Sequence, residues 1–152
     1  ICGGLQILGE ALIDEYGIDG NAPGLGLLPV VTYFAARKTV RRTQAEFLNL
    51  HGAWSALSGL KVSGYEIHHG QTQAYKTMKA GGDLIHEVMP GLAWQNTEGN
   101  VMGTYIHGLF EEPVVLQALF GMETTTLETV FEGLADYLEQ HMSVATLQSL
   151  IP

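Results

Sequence analysis

Ile1-Cys2-Gly3-Gly4-Leu5-Gln6-Ile7-Leu8-Gly9-Glu10 opens the chain and holds its only cysteine. Two glycines directly after Cys2 remove Cβ obstruction and permit a tight bend. The residues that follow have a helical period, with Leu5, Leu8 and Leu12 on one face and Ile7 and Ile13 beside it. This spacing predicts a helix over residues 4–16 that ends near Gly17, with Cys2 on a sharp turn at its start. Backbone N–H groups and the positive end of a helix dipole favour thiolate there. Free cysteine is also a small residue that is often simply buried, so the stretch alone leaves both roles open. A turn before a helix needs something before the turn, and only Ile1 precedes Cys2. The chain is therefore expected to be part of a longer polypeptide.

Outward from this stretch, Gly17, Gly20, Asn21, Pro23, Gly24, Gly26 and Pro29 mark a loop over 17–29. Val30–Phe34 is β-branched and aromatic and reads as a short strand. Residues 39–45 alternate weakly, as an exposed strand does. Trp54 and Leu57 offer an apolar anchor beside a turn at Ser58-Gly59. In residues 61–70, period two places Tyr65, Ile67 and His69 on one side and Glu66 and His68 on the other. Residues 71–83 read as strand then loop, with Gly81-Gly82 as a turn. Leu84–Met89 and Ala93–Asn96 read as strands, the second closed by Thr97-Glu98-Gly99-Asn100. Residues 101–108 read as a buried strand running into a turn, with His107 at its C-terminal end. A helix is expected over 112–121, with Pro113 near its start. Leu127, Val130, Phe131, Leu134 and Leu138 define an amphipathic helix capped by Thr126, and a short helix follows over 143–150. Strands interleaved with helices predict an α/β fold, a mixed and mostly parallel sheet flanked by helices.

The composition narrows the function. The chain is 46% hydrophobic and 15% charged, which fits one folded domain and excludes disorder. Net charge is −9, and no basic cluster exceeds Arg37-Lys38-Thr39-Val40-Arg41-Arg42, so a nucleic-acid partner is not expected. No apolar run reaches membrane-span length, so no membrane partner is expected either. A single cysteine forms no intramolecular disulfide, which fits a reducing cytoplasmic compartment.

A nucleophilic cysteine needs a base, usually histidine. Among the six histidines, His141 ends a helix, and His51 and His86 read as surface residues. His107 stands at the C-terminal end of a strand, where active sites of open α/β sheets gather. A hydrogen-bonded histidine at a strand end is the simpler account. Glu66 and His68 share a strand face, so the carboxylate could fix the imidazole, or both could face solvent. Metal is not expected, because alternation splits His68 from His69 and only one cysteine is present.

Three stretches together carry a resemblance. Ile1–Gly9 resembles the nucleophile motif of class I (triad-type) glutamine amidotransferases. Gly64-Tyr65-Glu66-Ile67-His68-His69-Gly70-Gln71-Thr72 and Gly103-Thr104-Tyr105-Ile106-His107-Gly108-Leu109-Phe110 resemble two signatures of the cobalamin-pathway branch of that family. Gly24-Leu25-Gly26-Leu27-Leu28-Pro29 is similar to its loop after the first helix. The resemblance implies a flavodoxin-like fold whose N-terminal strands are missing here, which would leave an unpaired sheet edge open to self-association. It implies that Cys2 attacks the carboxamide of glutamine, that His107 is the base, and that the Gly3 N–H is an oxyanion donor. A second donor would come from an upstream glycine loop. Glu66 is the candidate third triad member, because the wider family's Glu two residues after the histidine is Leu109 here. Tyr65 and His68 are candidate substrate contacts. No cofactor is implied for this domain. ATP and Mg²⁺ would belong to an N-terminal synthetase domain of the same chain, which takes the ammonia and amidates a corrin substrate. The fragment alone is expected to hydrolyse little or no glutamine. A glutaminase-fold module used only for docking is the non-catalytic alternative. By the same resemblance, many members of the family carry Tyr where Leu5 stands and Met where His69 stands.

Overall fold

A computed structural model describes residues 1–75, 85–121 and 125–150. The first helix, α1, covers only Gly3–Leu8. Beyond it, Ala11–Ile13 forms strand β1 rather than two further helical turns. The helical period of Leu12 and Ile13 is overridden by pairing, since Ala11, Leu12 and Ile13 lie parallel to Val31, Thr32 and Tyr33 of β3 (Val30–Glu46). Gly9 makes the change of direction possible: a Cβ there would meet the Val30 carbonyl at 2.7 Å. The Gly24–Leu28 loop then crosses the end of α1. Leu25 N–H donates to Ile7 O at 2.8 Å, and Leu28 N–H donates to Leu8 O at 2.9 Å. These bonds satisfy carbonyls that a short helix leaves open at its C-terminus.

Strand β2 (Ala22–Pro23) lies antiparallel to β1, and β4 (Lys61–Ala74) lies antiparallel to β3, giving the order β2-β1-β3-β4. Val30–Phe34 and residues 39–45 are one long strand, with a register shift between Phe34 and Thr39. The connection from β3 to β4 holds a 3₁₀ turn over Gly52–Leu57, which buries Leu57 completely and packs Trp54 on the core. A second sheet has the order β5-β6-β7 (Ile85–Met89, Ala93–Asn96, Met102–Thr104), all antiparallel. The two sheets meet at an antiparallel bridge between Tyr65 and His107. One of the five strand pairings among the described residues is parallel. The expectation of a mostly parallel sheet is corrected: consecutive strands here return directly on their neighbours, which needs no crossover helix. The Gly81-Gly82 turn lies outside the described residues.

The core joins Leu5 of α1 to Phe47, Leu57, Trp94, Ile106 and Leu109. Helix α2 (Pro113–Phe120) adds Val115 and ends on Gly121 with φ 68°. Helix α3 (Leu127–His141) is capped by the Thr126 side chain, which accepts from Thr129 N–H, and α4 (Val144–Ser149) is capped likewise by Ser143. Neither α3 nor α4 buries a residue, so the predicted apolar face of α3 is exposed. No helix among the described residues is long and apolar enough to cross a membrane.

Candidate active site

Cys2 is the only non-glycine residue with positive φ among the described residues, at φ 51° and ψ −110°. Such a conformation costs on the order of 1–3 kcal/mol and persists only where the surroundings over-determine it. Both ends of the residue are held. Cys2 N–H donates to Thr104 O at 2.7 Å, and Cys2 O accepts from Gln6 N–H at 3.1 Å. The half-buried thiol points at the Ile67 carbonyl of β4, 3.6 Å away. Gly3 and Gly4 follow with open space beside them, no heavy atom lying within 4 Å of a Cβ built on either. The Gly3 N–H, in the first turn of α1, is outside the helical ladder.

His107 reaches the same part of β4 from the other chain segment. Its N–H donates to Tyr65 O at 2.9 Å, and its carbonyl accepts from Tyr65 N–H at 3.1 Å. Its Nε2 is buried and has no hydrogen-bond partner among the described residues. The approach is close because residue 64 is glycine: a Cβ there would meet the Ile106 side chain at 2.5 Å and would press on the His107 carbonyl as well. Gly108, at φ 82°, turns the chain away directly after the histidine. The fold therefore brings Cys2 and His107 against Tyr65–Ile67, three consecutive residues of β4.

Glu66 is placed differently. Its side chain is buried, and its carboxylate accepts from Arg41 Nε at 2.7 Å, from the Thr43 hydroxyl, and from His68 Nε2 at 3.3 Å. None of these partners is His107. Burial pushes the Glu66 carboxyl up, but hydrogen bonds from Arg41, Thr43 and His68 outweigh it and hold the group below the usual range. The solvent-facing reading of Glu66 and His68 is overturned: β4 buries both and exposes Tyr65 and Ile67 instead. His68 Nδ1–H donates to Gly70 O at 2.7 Å, and its ring stacks on Tyr105 at 3.9 Å. Glu66 and His68 line a cleft of about 290 Å³ with Arg41, Gln71 and Gly91. Tyr65 lines a separate cleft of about 210 Å³ with Arg42, Gly108 and Glu111.

Tyr105 and the polar side chains around its hydroxyl, to which the sequence assigned no role, complete the surroundings. Tyr105 is buried, with its hydroxyl 2.6 Å from that of Thr72 and 3.4 Å from Gln6 Nε2. Burial raises its pKa, against hydrogen bonds from Thr72, Gln6 and Thr32. The signal for this cluster is Gly70, where a Cβ would meet the Tyr105 hydroxyl and the Thr32 methyl, each at 2.7 Å. The other histidines lie elsewhere. His69 Nδ1–H donates to Ala35 O at 2.9 Å, and half-buried His51 bonds Thr97 O at 2.9 Å beside exposed His86. His141 Nδ1–H donates to Tyr137 O at 2.8 Å at the end of α3. No group of three or more His, Cys, Asp or Glu among the described residues is placed to hold a metal ion.

A half-buried thiol on a strained turn and a buried, unpartnered imidazole nitrogen, both carried on segments that touch Tyr65–Ile67 of β4, are the residue types that acyl transfer uses. The chain is similar to the cobyric acid synthase of Polaromonas sp. (strain JS666 / ATCC BAA-500), 66% identical over 152 residues, which cover 99% of this chain and 30% of that protein. It is 64% identical over 152 residues to the cobyric acid synthase of Polaromonas naphthalenivorans, covering 99% of this chain and 31% of the relative. It is 59% identical over 150 residues to that of Acidovorax sp. (strain JS42), covering 99% and 30%. The chain thus spans less than a third of the length of these relatives. The family model for the CobB/CobQ-like glutamine amidotransferase domain matches residues 1–115. With that match covering most of the chain, Cys2 and His107 included, the chain belongs to the CobB/CobQ-like glutamine amidotransferase domain family.

Proposed function

We propose that this chain is the glutamine-hydrolysing domain of a cobyric acid synthase, active in the cytoplasm in cobalamin biosynthesis. The observation that carries the catalytic part is the strained backbone of Cys2, the one such non-glycine residue described. A module used only for docking has no reason to hold a cysteine in that conformation. In the reaction, His107 takes the thiol proton and Cys2 Sγ attacks the carboxamide carbon of glutamine. The tetrahedral oxyanion is met by the Gly3 N–H, on the open side of the turn. The intermediate collapses to a glutamyl thioester, and His107 delivers the proton to the departing ammonia. Water, deprotonated by His107, then cleaves the thioester to glutamate and restores the thiol.

The ammonia is proposed to pass to an ATP- and Mg²⁺-dependent synthetase domain of the same polypeptide. There it would amidate adenosylcobyrinic acid a,c-diamide to cobyric acid. A direct handoff suits the chemistry, because ammonia in neutral solution is mostly protonated and ammonium is no nucleophile. The relatives at 66% and 64% identity favour this assignment over the related cobyrinic acid a,c-diamide synthase. The flavodoxin-like fold belongs to the same proposal, with its sheet completed by strands outside this chain. The test is labelling of the full polypeptide with iodoacetamide and with an electrophilic glutamine analogue, read by mass spectrometry of the Cys2 peptide. Labelling of Cys2 that glutamine blocks is expected. An unlabelled Cys2, or labelling indifferent to glutamine, would sink the catalytic reading.

A further inference from the structure

We propose that Glu66 and His68 are positioning residues for Cys2, acting through Tyr105. The proposal rests on the reading of Cys2 as the nucleophile and assigns Glu66 a task other than orienting His107. Arg41 and Thr43 fix the Glu66 carboxylate, which holds His68 at Nε2, while Gly70 O holds it at Nδ1. A ring held at Nδ1 by Gly70 O, with the Glu66 carboxylate 3.3 Å from Nε2, is confined on both sides, and it lies almost parallel to Tyr105, 19° between planes. Tyr105 is fixed in turn at its hydroxyl by Thr72 and Gln6, and at its N–H by Leu92 O at 2.8 Å.

The two residues that grip the Cys2 backbone converge on this tyrosine. Thr104, which takes the Cys2 N–H, is its chain neighbour, and Gln6, which donates to Cys2 O, reaches its hydroxyl through the side chain. The strained φ of Cys2 needs surroundings that leave it no alternative. The chain of contacts from Arg41 through Glu66, His68 and Tyr105 to Thr104 and Gln6 supplies them. Loosening His68 frees Tyr105, and Cys2 relaxes toward ordinary backbone angles with its sulfur moved off the Ile67 carbonyl.

The experiment compares His68→Ala, Glu66→Gln and a control, Leu57→Ala, in the full polypeptide. Leu57 is fully buried in the 3₁₀ turn, and none of the hydrogen bonds of the clamp runs through it, so its truncation costs stability while leaving those bonds in place. The first measurement is amide hydrogen exchange over residues 1–8. The second is glutaminase kinetics. Exchange at Cys2 and Gln6 is expected to rise about tenfold in His68→Ala and severalfold in Glu66→Gln, and to stay near wild type in Leu57→Ala. The kcat for glutamine should fall about tenfold or more with KM changed less than about twofold, since the loss lies in nucleophile placement. Unchanged exchange in both His68→Ala and Glu66→Gln, or an equal rise in Leu57→Ala, overturns the clamp. Raised exchange in a polypeptide whose wild type hydrolyses no glutamine keeps the clamp and overturns the nucleophile reading.

Discussion

Gly64→Ala probes the joint between the two sheets with a single methyl group. The added Cβ would lie 2.5 Å from Ile106 Cγ2, where ordinary contact begins at 3.4 Å, so the Ile106–His107 segment must retreat by roughly 1 Å. The His107 carbonyl, also pressed, is backbone and cannot rotate aside. Overpacking of this kind costs about 1–3 kcal/mol. Both hydrogen bonds of the Tyr65–His107 bridge, at 2.9 and 3.1 Å, lengthen together and add about 1 kcal/mol each if lost. If both bonds go, a loss of roughly 3–5 kcal/mol is expected, which lowers Tm by roughly 6–20 °C for a domain of this size. Turnover should suffer more than stability. A displacement of about 1 Å at a catalytic base can cost on the order of a hundredfold in rate. Thermal melting followed by circular dichroism, and glutamate release at a temperature where the variant is folded, give the two readings. A variant that melts with wild type and turns over glutamine normally would show that His107 neither depends on this bridge nor acts from it.

Cys2→Gly should stabilise the fold by about 1 kcal/mol while abolishing glutamine hydrolysis, because glycine adopts φ 51° without strain; a lowered Tm would contradict the strain assigned to Cys2. Gly3→Ala meets no atom within 4 Å, so Tm should hold or rise slightly, yet kcat should fall severalfold as a methyl group enters the open side of the turn where the oxyanion is proposed to form. Wild-type kcat in this variant would remove Gly3 from that role. The Glu66 carboxyl is held below its ordinary value of 4.5, so its contribution to stability is present above that pH and lost as the pH falls through the lower folded value. The Tm difference between wild type and Glu66→Gln should therefore be largest near neutrality and shrink in acid; a difference independent of pH would show that charge on Glu66 plays no part.

The elements that rest on local signals were legible in the sequence. Ala93–Asn96 is a strand bounded by its turn, Thr126 caps α3, and Pro113 and Gly121 bracket α2, because each signal lies within the element it controls. Local pattern was not enough where a distant partner decided the outcome. Residues 11–13 left the helix because β3 offered a parallel neighbour, a contact that the period of Leu5, Leu8 and Leu12 cannot contain. Alternation in β4 separated Glu66 and His68 from Tyr65 and Ile67 correctly but could not say which side was inside. Tyr105, directly after β7, covers His68 from outside the strand, a partner that alternation cannot contain. Cys2 and His107 stood out because each sits beside glycine at an element's end. Arg41, Gln6 and Tyr105 carry no such punctuation.

The glycines divide the site by what surrounds them. At Gly64, Gly70 and Gly103 a Cβ would strike Ile106, the Tyr105 hydroxyl and the Leu5 side chain, so these glycines exist to let segments close on one another. At Gly3 and Gly4 nothing is near, and φ is not positive, so neither crowding nor backbone angle explains them. Alanine would be the better helix former at both positions by up to about 1 kcal/mol each. Packing within this chain therefore does not account for the pair that follows Cys2. In the proposed reaction access does: a bare backbone beside Cys2 would let a planar carboxamide approach the sulfur and the Gly3 N–H together. The crowded glycines close β4 on the Tyr105–His107 segment and β7 on Leu5 of α1, on either side of the turn that carries Cys2, and the open ones leave the start of α1 free of side chains.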